Sequence, residues 1–221
     1  SEMCIRDRSV DPAFVSEFKS GDTRRSASII DWEAEGITSL AAFGDTYRDQ
    51  REYTGYTIKK YSPLCYADGT SASKEDGSGD FQLSNHQDYV IMRYADVLLM
   101  AAELGSPKAQ EYFDEVRKRA YTSEGTLSAN YSQLPVTKEN IMQERRLEFA
   151  FESINYWDLL RQGVDYAASK LALSEKQVYS GGIVDFITIS ADRIRTTKGL
   201  SQIPYNQITL SNGTLVQNAG W

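Results

Sequence analysis

The chain has 221 residues, of which 41% are hydrophobic and 25% charged, and a formal net charge of −7. That is enough chain for a sizeable core, with the composition of an ordinary globular protein. The acidic balance excludes the basic patch that nucleic acid requires and a polybasic membrane contact, and no apolar run approaches the roughly 18 residues of a membrane span.

The opening SEMCIRDRS differs in character from the rest of the chain and carries no signal-peptide pattern. Residues 1–9 are expected to be a non-native scar. Cys4 falls in that segment, which leaves Cys65 as the fold's cysteine, too few for a disulfide framework or a multi-cysteine zinc site. GDTRRSASII at 21–30 runs from a turn into a short apolar stretch and predicts a loop feeding a strand. YTGYTIKKY at 53–61 has the aromatic and β-branched content of a strand, weakened by Gly55. Residues 67–80, ADGTSASKEDGSGD, lack any apolar period and predict an exposed loop.

Helices dominate from about residue 85. Val90, Tyr94, Val97, Leu98 and Ala101 recur at helical spacing, widened by Ile91, Ala95 and Ala102, and Gly105 supplies a stop. Ser106-Pro107 restarts a second helix with the stripe Ala109, Tyr112, Phe113, Val116 and Ala120. So short a connection makes the two helices an antiparallel hairpin of the tetratricopeptide kind. Thr137 caps a third helix running to about Phe151, and residues 156–161, YWDLLR, continue as helix or turn until Gly163. Phe151 and Trp157 are expected to pack these helices. Further along, IVDFITI at 183–189 predicts a short strand after Gly181-Gly182, and Asn212-Gly213 is a hairpin signal between ITL and TLV.

Chemistry is sparse. His86 is the only histidine and precedes a helix, where a capping or surface role is expected. There is no phosphate-binding glycine loop and no metal-ligand spacing, so no cofactor and no metal is expected. Glu144, Glu148 and Glu152 stand four apart, and paired carboxylates are the acid and base of glycoside hydrolysis. Arg145 and Arg146 are interleaved with them, however, and Arg145, Glu148 and Glu152 share a side with Ile141 and Phe149. Half-buried ion pairs locking the helix to its neighbours explain that pattern better, and Arg93, Asp158 and Arg161 belong to the same expected network. The acidic 67–80 loop could offer oxygens to calcium but lacks the EF-hand spacing. Trp32, Tyr47, Tyr53 and Tyr56 lie in the polar, non-helical part of the chain. Aromatic faces there suit the apolar C–H faces of sugars, so these four are the candidate ligand-binding residues.

RYADVLLMAAE at 93–103 resembles the helix R-Y-A-[DE]-V-L-L-M-x-A-E of SusD-like (RagB/SusD) proteins almost letter for letter. Further landmarks occur in that family's order. GDTRR at 21–25 resembles its G-D-x-R-x segment, YTIKKY at 56–61 its strand before the helices, and FDEVRKRA its second helix. ERRLEFAFESINYWDLLRQG at 144–163 is similar to E-R-R-x-E-L-x-F-E-[GN]-x-R-[YW]-x-D-L-x-R-x-G. The closing IPYNQITLSNGTLVQNAGW is similar to the family's I-P-x-x-E-[IL] end. Departures are a shortened linker at Leu104 to Ser106, Asn155 where Arg is common, and Ala219 where the tail has proline.

The resemblance implies a mainly α fold with minor strands, a tetratricopeptide-like hairpin scaffold with loop-rich additions, and an irregular tail in place of the 212–213 hairpin. It divides the chain into a loop and short-strand region at 10–84, a helical core at 85–163 and a loop-rich tail at 164–221, together the C-terminal portion of a longer protein. It also implies non-catalytic capture of glycans or other nutrients for a TonB-dependent transporter, on an outer membrane reached through a lipid anchor at an N-terminal Cys. The alternatives are a helical module that binds protein alone and a hydrolase using Glu148 or Glu152.

Overall fold

The computed structural model describes residues 9–35, 39–40, 45–46, 54–60, 90–180 and 183–221. The expectations for Cys4, Tyr47, Tyr53, Cys65, His86 and the 67–80 loop fall outside these residues. The fold is mainly helical with a few short strands, and it divides into two compact units. One holds the residues up to Glu152 together with Tyr179–Ile183, and the other holds Ser153–Val178 and Val184–Trp221.

The first unit opens with α1 (Pro12–Val15), where the Asp11 carboxylate accepts the Ala13 N–H at 2.8 Å and Pro12 stands in the first turn. RRSAS, expected as loop, forms the short helix α2 (Arg24–Ser28) before β1 (Ile29–Asp31). Two two-residue strands, β2 (Ser39–Leu40) and β3 (Asp45–Thr46), pair with each other. The 53–61 strand is realised as β4 (Tyr56–Ile58), antiparallel to β1 with Ile29 opposite Ile58 and Asp31 opposite Tyr56. Ser9 bridges Thr57, so the last residue of the 1–9 segment joins this ribbon.

Helix α3 (Tyr94–Glu103) begins later than expected, because Val90 to Arg93 are not helical. Its inner face also differs from the expected stripe. Leu98, Leu99 and Ala102 are buried, whereas Tyr94 is 68% and Val97 45% exposed. The helix is apolar nearly all round, so periodicity alone does not select its inner face. Gly105, at φ +75, ends the helical stretch, with its N–H on Ala102 and that of Ser106 on Ala101. The Ser106 hydroxyl then accepts the Lys108 N–H, leading into α4 (Ala109–Ala120). Phe113, Val116 and Ala120 of the expected stripe are buried, and α4 packs on α3. The hairpin β5 (Thr122–Ser123) and β6 (Thr126–Leu127) turns through Glu124 and Gly125, both at positive φ.

Thr137 caps α5 (Lys138–Glu148), its hydroxyl accepting the Asn140 N–H at 3.2 Å. Leu147 and Ala150 join Val10, Val15, Phe18 and Ile29 in one apolar cluster, against which Tyr56 and Ile58 pack. Phe151 is half-buried there, its ring edge-on to Phe14.

The second unit contains α6 (Asn155–Arg161), α7 (Val164–Leu171), all but the adjoining ends of the paired strands β7 (Leu173–Ser180) and β8 (Ile183–Ile189), α8 (Ala191–Thr197) and α9 (Tyr205–Leu210). Ala167 and Ala168, fully buried, let α7 approach its neighbours α6 and α8. Trp157, expected to pack the helices, is 64% exposed and meets the ring edge of Tyr156. The 212–213 hairpin does not form. ITL lies in α9, and Asn212 (φ +51) with Gly213 (φ +83) makes the turn after it. An Asn-Gly pair in left-handed conformation ends a helix as readily as it reverses a strand. No helix among the described residues is long and apolar enough to cross a membrane.

Candidate ligand cleft and the buried charge network

The charges of α5 meet a converging set of arginines. Glu144, only 1% exposed, accepts Arg24 Nη1 at 2.6 Å and Arg117 Nη1 at 2.7 Å. Glu148, 2% exposed, is held by Arg93 Nη1 at 2.7 Å, Arg119 Nη2 at 2.5 Å and Arg24 Nη1 at 3.2 Å. Glu152 accepts Lys60 Nζ at 2.7 Å and Arg93 Nε at 2.9 Å. Asp22 completes the set with a two-pronged grip on Arg24, at 2.6 Å to Nη2 and 2.9 Å to Nε. Bidentate, charge-assisted bonds of this kind are the strong ones, and only such pairing makes buried charge tolerable.

Electrostatics follow the geometry. Burial alone would push the Glu148 carboxyl up. The hydrogen bond from Arg93 and the charges of Arg119, Arg24 and Arg93 outweigh it and hold the group below the usual carboxylate range. Burial works against the charge on Arg24 and Arg93, yet the hydrogen bonds and charges of their carboxylate partners raise both above the ordinary guanidinium value. The Arg93 and Arg145 guanidinium groups also lie over the Phe149 ring, at 4.6 and 5.1 Å from its centroid. Arg117 lies among the rings of Phe113, Tyr121 and Tyr131.

Of the residues expected in the network, Arg93, Glu144, Glu148 and Glu152 come together around these cations. Arg145 pairs with Asp96 on α3 at 2.6 Å, and Arg146 with Glu17 at 2.9 Å while covering the Phe14 ring. Asp158 and Arg161 pair with each other within α6 at 2.9 Å. The residues that sequence reasoning missed are Asp22, Arg24, Lys60, Arg117 and Arg119. A signal was present, since GDTRR and VRKRA are themselves landmark segments rich in charge.

A cleft of about 590 Å³ borders this network at Asp22. It is bounded by the turn after α1, by α2 and by the end of β1 with the turn that succeeds it. Buried Phe18 and Ile29 give it apolar surface, and exposed Lys19, Arg25 and Glu35 stand on its rim together with Asp31. Arg25 Nη2 is tied to Asp31 at 3.0 Å, and the other Asp31 oxygen accepts the Ala34 N–H. Gly21, at φ +88, forms part of the wall, and a Cβ there would collide with Ser128 Oγ. Of the candidate aromatics, Trp32 is half-buried and donates its indole N–H to Thr57 Oγ1 at 2.7 Å. Tyr56 packs on the apolar cluster. Tyr47 and Tyr53 lie outside the described residues. Among the described residues no group of His, Cys, Asp and Glu is placed to hold a metal ion.

A helical hairpin, a third helix bolted to it by buried ion pairs, and a loop-built cleft beside them define a helical scaffold of the SusD kind. The chain belongs to the SusD family, whose model matches residues 7–221. It is 37% identical over 83 residues to SusD-like protein P2 of Formosa agariphila, covering 33% of this chain and 16% of that one. It is 26% identical over 159 residues to SusD-like protein P38 of the same organism, covering 59% and 31%. Among solved structures it resembles surface glycan-binding protein A from Bacteroides thetaiotaomicron in complex with laminarihexaose, with a TM-score of 0.69 and 28% identity. That match covers 96% of this chain and 41% of the other. The chain therefore spans less than a third of the curated relatives it matches and about two-fifths of the solved one.

Proposed function

We propose that this protein captures a glycan at the outer-membrane surface of a bacterium and hands it to a TonB-dependent transporter, without cleaving it. The observation that carries this reading is membership of the SusD family together with likeness to a glycan-binding protein solved with laminarihexaose. The lipid anchor and the transporter are properties of the whole protein that the family resemblance supplies. The arrangement of the carboxylates supports binding rather than hydrolysis. Glu148 and Glu152 are each met by two or more cations and are almost wholly buried, so neither offers a free carboxyl to a glycosidic bond.

Isothermal titration of the intact protein against laminarin and a panel of plant, algal and host glycans tests the reading. Saturable binding with no release of reducing ends is the expected result. Absence of binding across the panel overturns glycan capture, and turnover that Glu148→Gln abolishes overturns the non-catalytic part.

A further inference from the structure

We infer that the cleft between Phe18 and Glu35 is a binding subsite for an uncharged sugar unit; this rests on the glycan-capture reading and gives it a location. Its volume, about 590 Å³, falls within the range of small-molecule sites. The lining has the mixed character that a pyranose ring needs. Phe18 and Ile29, themselves core residues, leave only a small apolar floor for C–H groups, while Lys19 and Arg25 supply donors and Asp31 and Glu35 supply acceptors.

Charge selects the class of sugar. Among the described residues, two cations and two carboxylates line the rim, and the remaining carboxylate, Asp22, is consumed by Arg24. Arg25 is already met by Asp31. Lys19 would attract an acidic sugar, but Glu35 on the same rim repels it by a comparable amount, so an anion gains little. A hydroxyl, which both donates and accepts, can use both kinds of group. The site is also pre-formed where it matters. Asp31 is pinned by a backbone N–H and by Arg25, and its strand is paired along its length with β4, so the acceptor does not have to be ordered on binding.

Of the candidate aromatics among the described residues, neither Trp32 nor Tyr56 lines this cleft. Trp32 is next to Asp31 in the chain, yet its indole is engaged with Thr57 on the partner strand.

Titration calorimetry with the intact protein tests the subsite. The probes are laminarihexaose, cellohexaose and maltohexaose as neutral hexasaccharides, with hexagalacturonate as the acidic counterpart. The exposed rim allows variants that spare the fold: the double change Lys19→Ala and Glu35→Ala, and Ala34→Trp, which fills the cleft. Unchanged circular dichroism and melting confirm each variant as folded. The expected result is that at least one neutral hexasaccharide binds the wild type more tightly than hexagalacturonate does. The double change then weakens that binding at least tenfold and Ala34→Trp abolishes it. Neutral-sugar binding that both variants retain at wild-type affinity overturns the subsite and leaves glycan capture standing. Tighter binding of hexagalacturonate, lost in the same variants, overturns the neutral class alone. Failure of the wild type to bind any of the four probes, or any member of the wider panel, overturns glycan capture and the subsite with it.

Discussion

Gly21 shows how one missing side chain connects the cleft to the rest of the first unit. Its φ of +88 lies in the left-handed region, and the space a Cβ would occupy is already taken by Ser128 Oγ, with Ser128 Cβ 3.1 Å away. Two separate penalties therefore attach to Gly21→Ala, the backbone strain of a left-handed alanine and the overlap with Ser128, together about 2–5 kcal/mol. Chemical denaturation should show that loss. The second change Ser128→Gly should recover the steric part and leave the backbone part. Full recovery in the double variant, or no loss in the single one, contradicts the geometry. Ser153 is the opposite case. It stands at φ +64 where the family pattern allows Gly or Asn, so this chain tolerates a strained serine at a position whose usual residues fit it.

At the scale of elements, the arginines of α2 separate two kinds of charge. Arg24 is buried, bridging Asp22, Glu144 and Glu148, whereas its neighbour Arg25 is exposed and pairs with Asp31. Arg24→Ala strands buried carboxylates and should cost about 3–5 kcal/mol, while Arg25→Ala should cost about 1 kcal/mol or less. Denaturation midpoints of the two variants decide the matter, and equal losses would mean the network is not what binds α5 to α2. Helix α3 allows a similar contrast. Leu99 has no exposure and Val97 is 45% exposed, so Leu99→Ala should cost about 2–5 kcal/mol and Val97→Ala about 0.5 kcal/mol. A larger loss for Val97 would restore the face that helical spacing alone suggests.

These two elements also show what was legible in the sequence. The existence and order of α3, α4 and α5 were readable, because the cap at Thr137 and the Gly105 stop are local signals, whereas the short helices α1, α2, α7, α8 and α9 were not read. The packing role of the α5 charges was readable too, since interleaved arginines and glutamates on an apolar face require partners. The partners themselves were harder to see, because Arg24 lies 120 residues before Glu144 and no local period joins them. The inner face of α3 was not legible, since Val97 and Leu99 are equally apolar and only tertiary contacts distinguish them. Nor was the cleft, whose lining comes from ordinary charged and small residues gathered by a turn, a short helix and a strand end. The charged landmarks GDTRR, RYADVLL, VRKRA and ERRLEFAFE look independent along the chain. In three dimensions they are parts of one structure, which explains why they occur together in a family defined by its scaffold.

The network also sets how the molecule as a whole responds to acid. Glu148 has its carboxyl held below the ordinary value of 4.5 by Arg93, Arg119 and Arg24, despite burial that works the other way. As the pH falls the unfolded chain takes up that proton first, so the stability contributed by the ionised carboxylate is fully present above the ordinary carboxylate value. It is lost progressively as the pH drops through the depressed folded value. Arg24 and Arg93 have the reverse sign. Their folded values are raised, so their contribution is present at every pH below the ordinary guanidinium value and is lost only in strong alkali. Melting temperature should accordingly be flat from about pH 8 to 5 and fall below about pH 4. Glu148→Gln should melt lower at neutral pH, where the charge is missed, and show a shallower fall in acid because one titrating group is gone. A wild type that melts equally at pH 7 and pH 3, or a variant whose acid limb is as steep as that of the wild type, would remove Glu148 from the account of acid stability.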